Sequence, residues 1–442
     1  MEFINQQILA DGMKHVEEAG LEDVLMSPMI EASRSWCRDL RTEGDGVDDE
    51  SFLKLGVQRI MRNNESGRDF FQKASDCLDL PIERSAFFDL FQSARRLGVL
   101  KDTAAGLYHD GCRLLEIDTL ASFPQLKGIE VIAGDGHLLS AACHAPRSPN
   151  GKKVASNSIH MLNIRNGLLF PLSAVQGDGR HAHELPALRR TMPRILKKLR
   201  RGKANLKDVI LLLDMAYNDT AFWSRMKYAK DAGAKVIMPQ KSNLEAIPLE
   251  EVEFDRDDPI NIGVVSVELV AFNNVHSSTM HRVVYRDPET ATEYVFLTTA
   301  MDLAPGLVAF LYLLRWRIEK VFDVFKNKLH EKKAWGNGQV CQQIQATFAC
   351  VAHNLLVMFS AGLKRTYGIE PTKLQRKRDR AFEQREKNAA KNGRFVNPIV
   401  KMIEYPSQLS SQFIRSVRNG IDLRRTLRDH LQHLRAAMEA YM

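Results

Sequence analysis

Three acidic residues stand where carboxylates can do chemistry. Asp135 ends the run Ile129-Glu-Val-Ile-Ala-Gly-Asp135, which reads as a strand and is followed by Gly136 and His137. By strand alternation Val131, Ala133 and Asp135 share a face. A carboxylate on an apolar face is costly unless it is paired or binds a cation. Gly134 and Gly136 leave room for another backbone to come close; the plainer alternative is a turn aspartate between two glycines. Asp214 closes Val209-Ile-Leu-Leu-Leu213, a continuous apolar run of the kind found in parallel strands covered on both faces. Ligands of open α/β sheets collect at the carboxyl ends of such strands. Asn218 or Asp219 reads as the cap of the following helix rather than as a ligand.

The third group lies on one predicted helix. Tyr312, Arg315, Glu319 and Lys326 follow the spacing Y-x2-R-x3-E-x6-K. At 3.6 residues per turn they fall within ~60° of one another, on a stripe ~21 Å long. The opposite face carries Leu311, Leu314, Ile318, Val321, Phe325 and Leu329, a set that belongs in a core. The plainer alternative is a solvated face with one i,i+4 ion pair, in which Arg315 precedes Glu319 in the weaker order. Spacing alone does not choose between Glu319 and Asp323, one turn along the same stripe.

Asp135, Asp214 and this helix motif together resemble the DDE transposases of the insertion-sequence-four superfamily, known for a Y-R-E-K helix. The resemblance spans roughly residues 125–365. It implies an RNase H-like fold in which Asp135, Asp214 and Glu319 are the catalytic, metal-binding triad, and it selects Glu319 over Asp323. It also implies two Mg²⁺ ions, with Mn²⁺ as a substitute. Hard cations of this kind prefer carboxylate oxygens, and a pair of them activates the attacking oxygen and stabilises the leaving oxygen of an in-line displacement. Tyr312, Arg315 and Lys326 become DNA-binding residues. The expected function is cleavage at transposon ends followed by strand transfer into target DNA. The expected partners are terminal inverted repeats, target DNA and a second copy of the chain. The alternatives are an RNase H-like nuclease that does not rejoin, and a transposase-derived DNA-binding protein without catalysis. Members that form hairpins hold a flipped base on an aromatic, typically Trp, from a β-rich insertion. Here all four tryptophans lie outside 240–300, which leaves Phe254, Phe272, Tyr285, Tyr294 and Phe296.

The elements that must position these residues can be read along the chain. Residues 1–125 have helix-like apolar spacing, as in Phe52, Leu53, Leu55, Val57, Ile60 and Met61, and are expected to form a helical N-terminal domain, a candidate for binding DNA ends. Pro81-Ile-Glu-Arg-Ser could open a DNA-reading helix. Residues 126–365 are expected to form the catalytic α/β domain. Strands at 129–135, 158–164 and 168–175 make an antiparallel meander with a turn at Arg165-Asn166-Gly167. A helix over 184–201 follows, then a strand to Asp214, a helix over 218–232 and a strand at 235–238. Residues 240–300 read as a β-rich insertion with strands at 262–272, 280–285 and 293–297. One helix runs from Pro305, placed where a first turn tolerates proline, to about His330, and another from Gln339 to about Leu363. Residues 366–442 form a basic helical C-terminal region, with 373–394 a mobile linker or solvated helix. His181, His183 and Glu184 gather before a predicted helix, as a metal group or as loop and cap residues.

Charge and composition set the partners. The chain has 442 residues and a net charge of +8. Residues 1–125 carry 14 basic and 23 acidic side chains, residues 126–363 carry 30 and 23, and residues 364–442 carry 18 and 8. The basic excess of the middle and the tail suits a polyanion such as DNA. Arg189 through Lys207 holds nine basic residues and no acidic one, so it either lies along DNA or faces solvent. No run of eighteen apolar residues suggests a membrane span, and the N-terminus lacks a signal-peptide pattern. The six cysteines form no Cys-x-x-Cys pair. A cytoplasmic, nucleoid-associated protein is expected.

Overall fold

The computed structural model describes residues 17–440 apart from 44–45, 63–64, 79–81, 143–146, 148–155, 177–183, 201–206, 229–233, 273–278, 330, 370–371, 403–408 and 410. Among the described residues the first elements are five helices, α1 (Leu21–Trp36), α2 (Asp49–Met61), α3 (Gly67–Leu78), α4 (Arg84–Leu90) and α5 (Ala94–Leu114). Three start on side-chain caps: Asp48 accepts from Ser51 N at 2.8 Å, Ser66 from Asp69 N at 3.2 Å and Ser93 from Arg96 N at 3.3 Å. Buried Phe52, Leu53, Leu55, Val57, Ile60 and Met61 confirm the periodicity seen in α2.

The middle of the chain is a mixed α/β fold of the RNase H-like kind. Strands β1 (Ile129–Leu139), β2 (Ser156–Asn163) and β3 (Leu169–Gln176) form the antiparallel meander; α6 (Glu184–Arg200) follows. Strand β4 (Asp208–Leu212) pairs parallel with β1 and, through helix α7 (Thr220–Tyr228), leads to parallel β5 (Lys235–Pro239). Buried Val209 through Leu213 show why that run is wholly apolar.

Strands β6 (Ile247–Glu251), β7 (Val264–Ala271), β8 (Met280–Arg286) and β9 (Glu293–Thr298) continue the same sheet rather than forming a separate one. Among the described residues the order is β3-β2-β1-β4-β5-β9-β8-β7-β6. The join is β9 against β5, with Ile237 opposite Thr298. Pairing of this kind satisfies the backbone donors of a buried edge. β6 was not expected from the sequence. Its residues are all exposed, so it has no apolar alternation to show.

After the sheet come α8 (Pro305–Leu314), α9 (Trp316–Asp323), a π-helical turn (Val324–Lys328) and the long α10 (Gln339–Tyr367). α10 is long and apolar enough to cross a bilayer, yet it is mostly buried inside the molecule. Phe348 on α10 meets Phe52 edge-on at 5.4 Å, and Gly56 on α2 leaves the space that ring fills. Residues 373–391 are helical, within α11 (Thr372–Lys391). α12 (Ser411–Asp422) and α13 (Leu427–Ala440) fold back on α1: Leu21 N bonds Arg425 O at 2.9 Å, and Gly420 abuts the Leu21 side chain. One hydrophobic core runs through residues from all three regions of the chain.

Candidate active site

β1 is longer than expected. Asp135 does not end it; the strand continues to Leu139 because β2 keeps pairing with it, Asp135 lying opposite His160. On its other side β4 stops at Leu212. The β1–β4 register runs from Ile129↔Asp208 to Ala133↔Leu212. The register ends there; Asp214 follows two residues after it at the carboxyl edge of the sheet, the edge where ligands of open α/β sheets collect. A Cβ on Gly134 would lie 2.8 Å from Leu213 Cδ2, so the close neighbour that needs this glycine is the side chain just past the end of β4. Asp135 Oδ1 accepts from Gly136 N at 2.8 Å, and Asp214 Oδ1 caps a short 3₁₀ turn by accepting from Ala216 N at 2.6 Å. Asp219 caps α7, accepting from Phe222 N at 3.1 Å, whereas Asn218 Nδ2 donates to Pro239 O at 2.9 Å.

The expected single helix is divided into three pieces. At Arg315 the ladder tightens: Arg315 N bonds Tyr312 O and Ile318 N bonds Arg315 O, at 3.0 and 3.1 Å. At Val324–Lys328 it widens to a π-turn, with Leu329 N on Val324 O at 2.9 Å. Lys326 lies in that wide turn, so it is rotated off the straight stripe that 3.6-residue spacing describes. Lys326 is exposed. The opposite face is buried as expected at Leu311, Leu314, Ile318, Val321, Phe325 and Leu329.

Arg315 joins the two ends of the motif. Only 7% of the residue is exposed. Its Nη1 donates to Asp135 Oδ2 at 3.1 Å and its Nη2 to Glu319 Oε1 at 2.8 Å. Burial alone would lower its pKa; the neighbouring Tyr312, Asp135 and Glu319 outweigh this and raise it. The sequence reading paired Arg315 only with Glu319 and missed Asp135. A lone arginine one turn before a glutamate carries no signal for a contact 180 residues away. Tyr312 is half-buried, 5.0 Å from the Phe296 ring. Burial raises its pKa, Arg315 opposes the rise, and Asp214 and Asp135 add to it. Tyr312 therefore stands within the field of both aspartates. Asp323 is exposed and accepts from Asn327 Nδ2; it takes no part in the bridge.

Beneath the bridge lies a buried polar layer that the sequence did not reveal. His137, two residues after Asp135, is 1% exposed, with its ring 5.0 Å from Phe322 and 5.5 Å from Phe325. Burial, with some help from Lys326, lowers its pKa to about 4. Glu331 is also buried, and burial pushes its pKa up to about 8. At neutral pH both are uncharged, so the 3.7 Å approach of His137 Nε2 to Glu331 Oε2 is not an ion pair.

The aromatics of the sheet extension divide in the same way. Tyr294 is exposed and stacks on Phe296 at 6.1 Å, whereas Phe272 and Phe296 are buried, and Tyr285 receives a bond from Asn397 at 3.1 Å. Arg256 covers the Phe254 ring at 4.6 Å. His181 and His183, and Pro81 of the expected DNA-reading helix, lie outside the described residues.

Among the described residues, no group of three or more His, Cys, Asp or Glu side chains converges closely enough to hold a metal ion. The donor chemistry nevertheless fits a hard divalent cation: Asp135, Asp214 and Glu319 offer carboxylate oxygens. Two of the three already share one positive charge, the Arg315 guanidinium.

A family model described as the transposase DDE domain matches residues 127–355, from the start of β1 into α10. No curated protein matches the chain.

Proposed function

The chain belongs to the transposase DDE domain family, and on that premise we propose that it is an insertion-sequence transposase of the insertion-sequence-four type, with Asp135, Asp214 and Glu319 as its catalytic triad. The observation that carries this reading is the Arg315 bridge. It draws Asp135 of β1 and Glu319 of α9 to one cation, and Asp214 follows β4, the parallel neighbour of β1.

Asp135, Asp214 and Glu319 would hold the divalent ions, taken to be two Mg²⁺. Bound there, the ions supply Lewis-acid stabilisation of the attacking and leaving oxygens at a phosphodiester. The chain's own residues do the rest. Arg315 holds the Asp135 and Glu319 carboxylates on one cation before DNA arrives. It then presents a planar fork that can grip a phosphate with two parallel hydrogen bonds. Tyr312 shields the carboxylates on one side and offers its hydroxyl to the same strand. Lys326, exposed on the π-turn, supplies a less directional attraction. Positioning of this kind matters because in-line attack tolerates little misplacement. Hydrolysis at each transposon end frees a 3′-hydroxyl, and that hydroxyl attacks target DNA. A dimer holds the two ends together, and residues 1–125 and 366–442 flank the catalytic domain as end-binding and DNA-affinity regions.

Strand transfer separates this function from simple nuclease action. A transposon end already cut to expose its 3′-hydroxyl, incubated with the protein, Mg²⁺ and a supercoiled plasmid, should be joined to the plasmid. Cleavage of intact ends without joining of the pre-cut end would make the protein a nuclease instead.

A further inference from the structure

α6 presents two unlike faces. Ala187, Leu188, Met192, Ile195, Leu196 and Leu199 are buried, and the helix rests on β3. Arg190 and Lys197 point outward and are exposed, and by sequence Arg194 follows Arg190 by four residues. Among the described residues no carboxylate pairs with Arg190 or Lys197. The described ion pairs of this helix are made by Arg189 and Arg200 instead. Arg189 pairs with Asp219, which caps α7 just after the Asp214 turn. Arg200 approaches Asp208, the first residue of β4, at 3.8 Å. α6 therefore runs antiparallel to β4, from the catalytic edge of the sheet to its far edge, with a basic line along its outer side.

The apolar stripe alone accounts for the packing of α6, so Arg190 and Lys197 are available to a partner. The seventeen-residue helix is about 25 Å long, the length of roughly seven base pairs at 3.4 Å each. We infer that the outer face of α6 is a second docking surface for duplex DNA, gripping phosphates without reading sequence and guiding the duplex away from the catalytic crevice. The partner class rests on the transposase reading; the surface rests on the helix itself. Arg190, Arg194 and Lys197 recur within two turns, the spacing that neutralises neighbouring phosphates along one groove edge.

The test is the salt dependence of binding to a 30-base-pair duplex that lacks any terminal repeat, read by fluorescence anisotropy. Each lost phosphate contact should flatten the slope of log affinity against log salt by about 0.9. The R190Q/R194Q/K197Q protein should therefore lose roughly 2 to 3 from that slope. The K127Q/R225Q/R286Q protein removes the same charge from exposed sites elsewhere on the α/β part and should leave the slope nearly unchanged. R190K/R194K keeps the charges and should keep the slope, which guards against a fold defect in the neutralised protein. A slope unchanged by R190Q/R194Q/K197Q, or changed equally by the distant triple, overturns the α6 surface. If the wild-type protein still cuts DNA in Mg²⁺ in that case, the enzymatic reading stands alone; if it neither binds nor cuts, both fall.

Discussion

Replacing Arg315 by Gln tests the bridge directly. The guanidinium is 8% exposed, while the Asp135 side chain is 20% exposed and that of Glu319 is 35% exposed. Removing one partner of a fully buried pair costs about 3–5 kcal/mol. Solvent reaches both carboxylates here, so screening brings the expected loss to about 1–2 kcal/mol. The variant is left with two carboxylates facing each other and no shared cation. Mg²⁺ should therefore matter more to the variant than to the wild type. A tenfold tighter ion would add about 1.4 kcal/mol of stabilisation at saturation. Thermal unfolding in EDTA and in Mg²⁺ measures both quantities. R315Q should melt a few degrees lower in EDTA and regain most of that difference in Mg²⁺. R315K keeps a charge but not the fork, so its stability should be closer to wild type while single-turnover cleavage falls more than DNA affinity does. An R315Q protein with a wild-type melting point in EDTA, and the same Mg²⁺ shift as wild type, would mean that the bridge holds nothing together.

Glu331 gives a pH signature. Its folded pKa of about 8 exceeds the unfolded value near 4.5, so folding takes up a proton between these values. That contribution is fully present below about pH 4.5 and is lost as pH rises toward 8. Glu331→Gln should flatten the wild type's decline in melting temperature between pH 5.5 and 8, and parallel curves would refute this. Truncation before Ser411 should lower stability by several kcal/mol and expose apolar surface to dye, because buried Ile414, Val417, Leu427 and Leu434 would be lost from the packing on α1; a truncated chain that melts like the whole one would show the C-terminal helices to be independent.

Much of this was legible in the sequence because period and position carry physical meaning. The apolar run ending at Asp214 and the alternating strand at Asp135 each predicted a strand, and the shared register of those strands is a consequence of β1 and β4 pairing in parallel. The buried face of α8 and α9 followed from the 3.6-residue period. The π-turn did not, because an inserted residue changes the hydrogen-bond ladder without changing composition. The join of β9 to β5 was hidden because sheet pairing is non-local and an edge strand looks the same whichever sheet it extends. The Arg315–Asp135 contact and the buried His137 and Glu331 were hidden for the same reason: they arise where β1, α9 and the segment after the π-turn come together.

The central claim is that Asp135, Asp214 and Glu319 act as one metal-dependent unit on DNA. Its most direct test is cleavage of labelled DNA carrying the flanks of the gene by D135A, D214A and E319A proteins in Mg²⁺, with end binding measured on the same preparations. The account predicts that each single substitution abolishes cleavage and leaves binding largely intact. Wild-type cleavage by any one of the three would contradict the account and remove that residue from the triad.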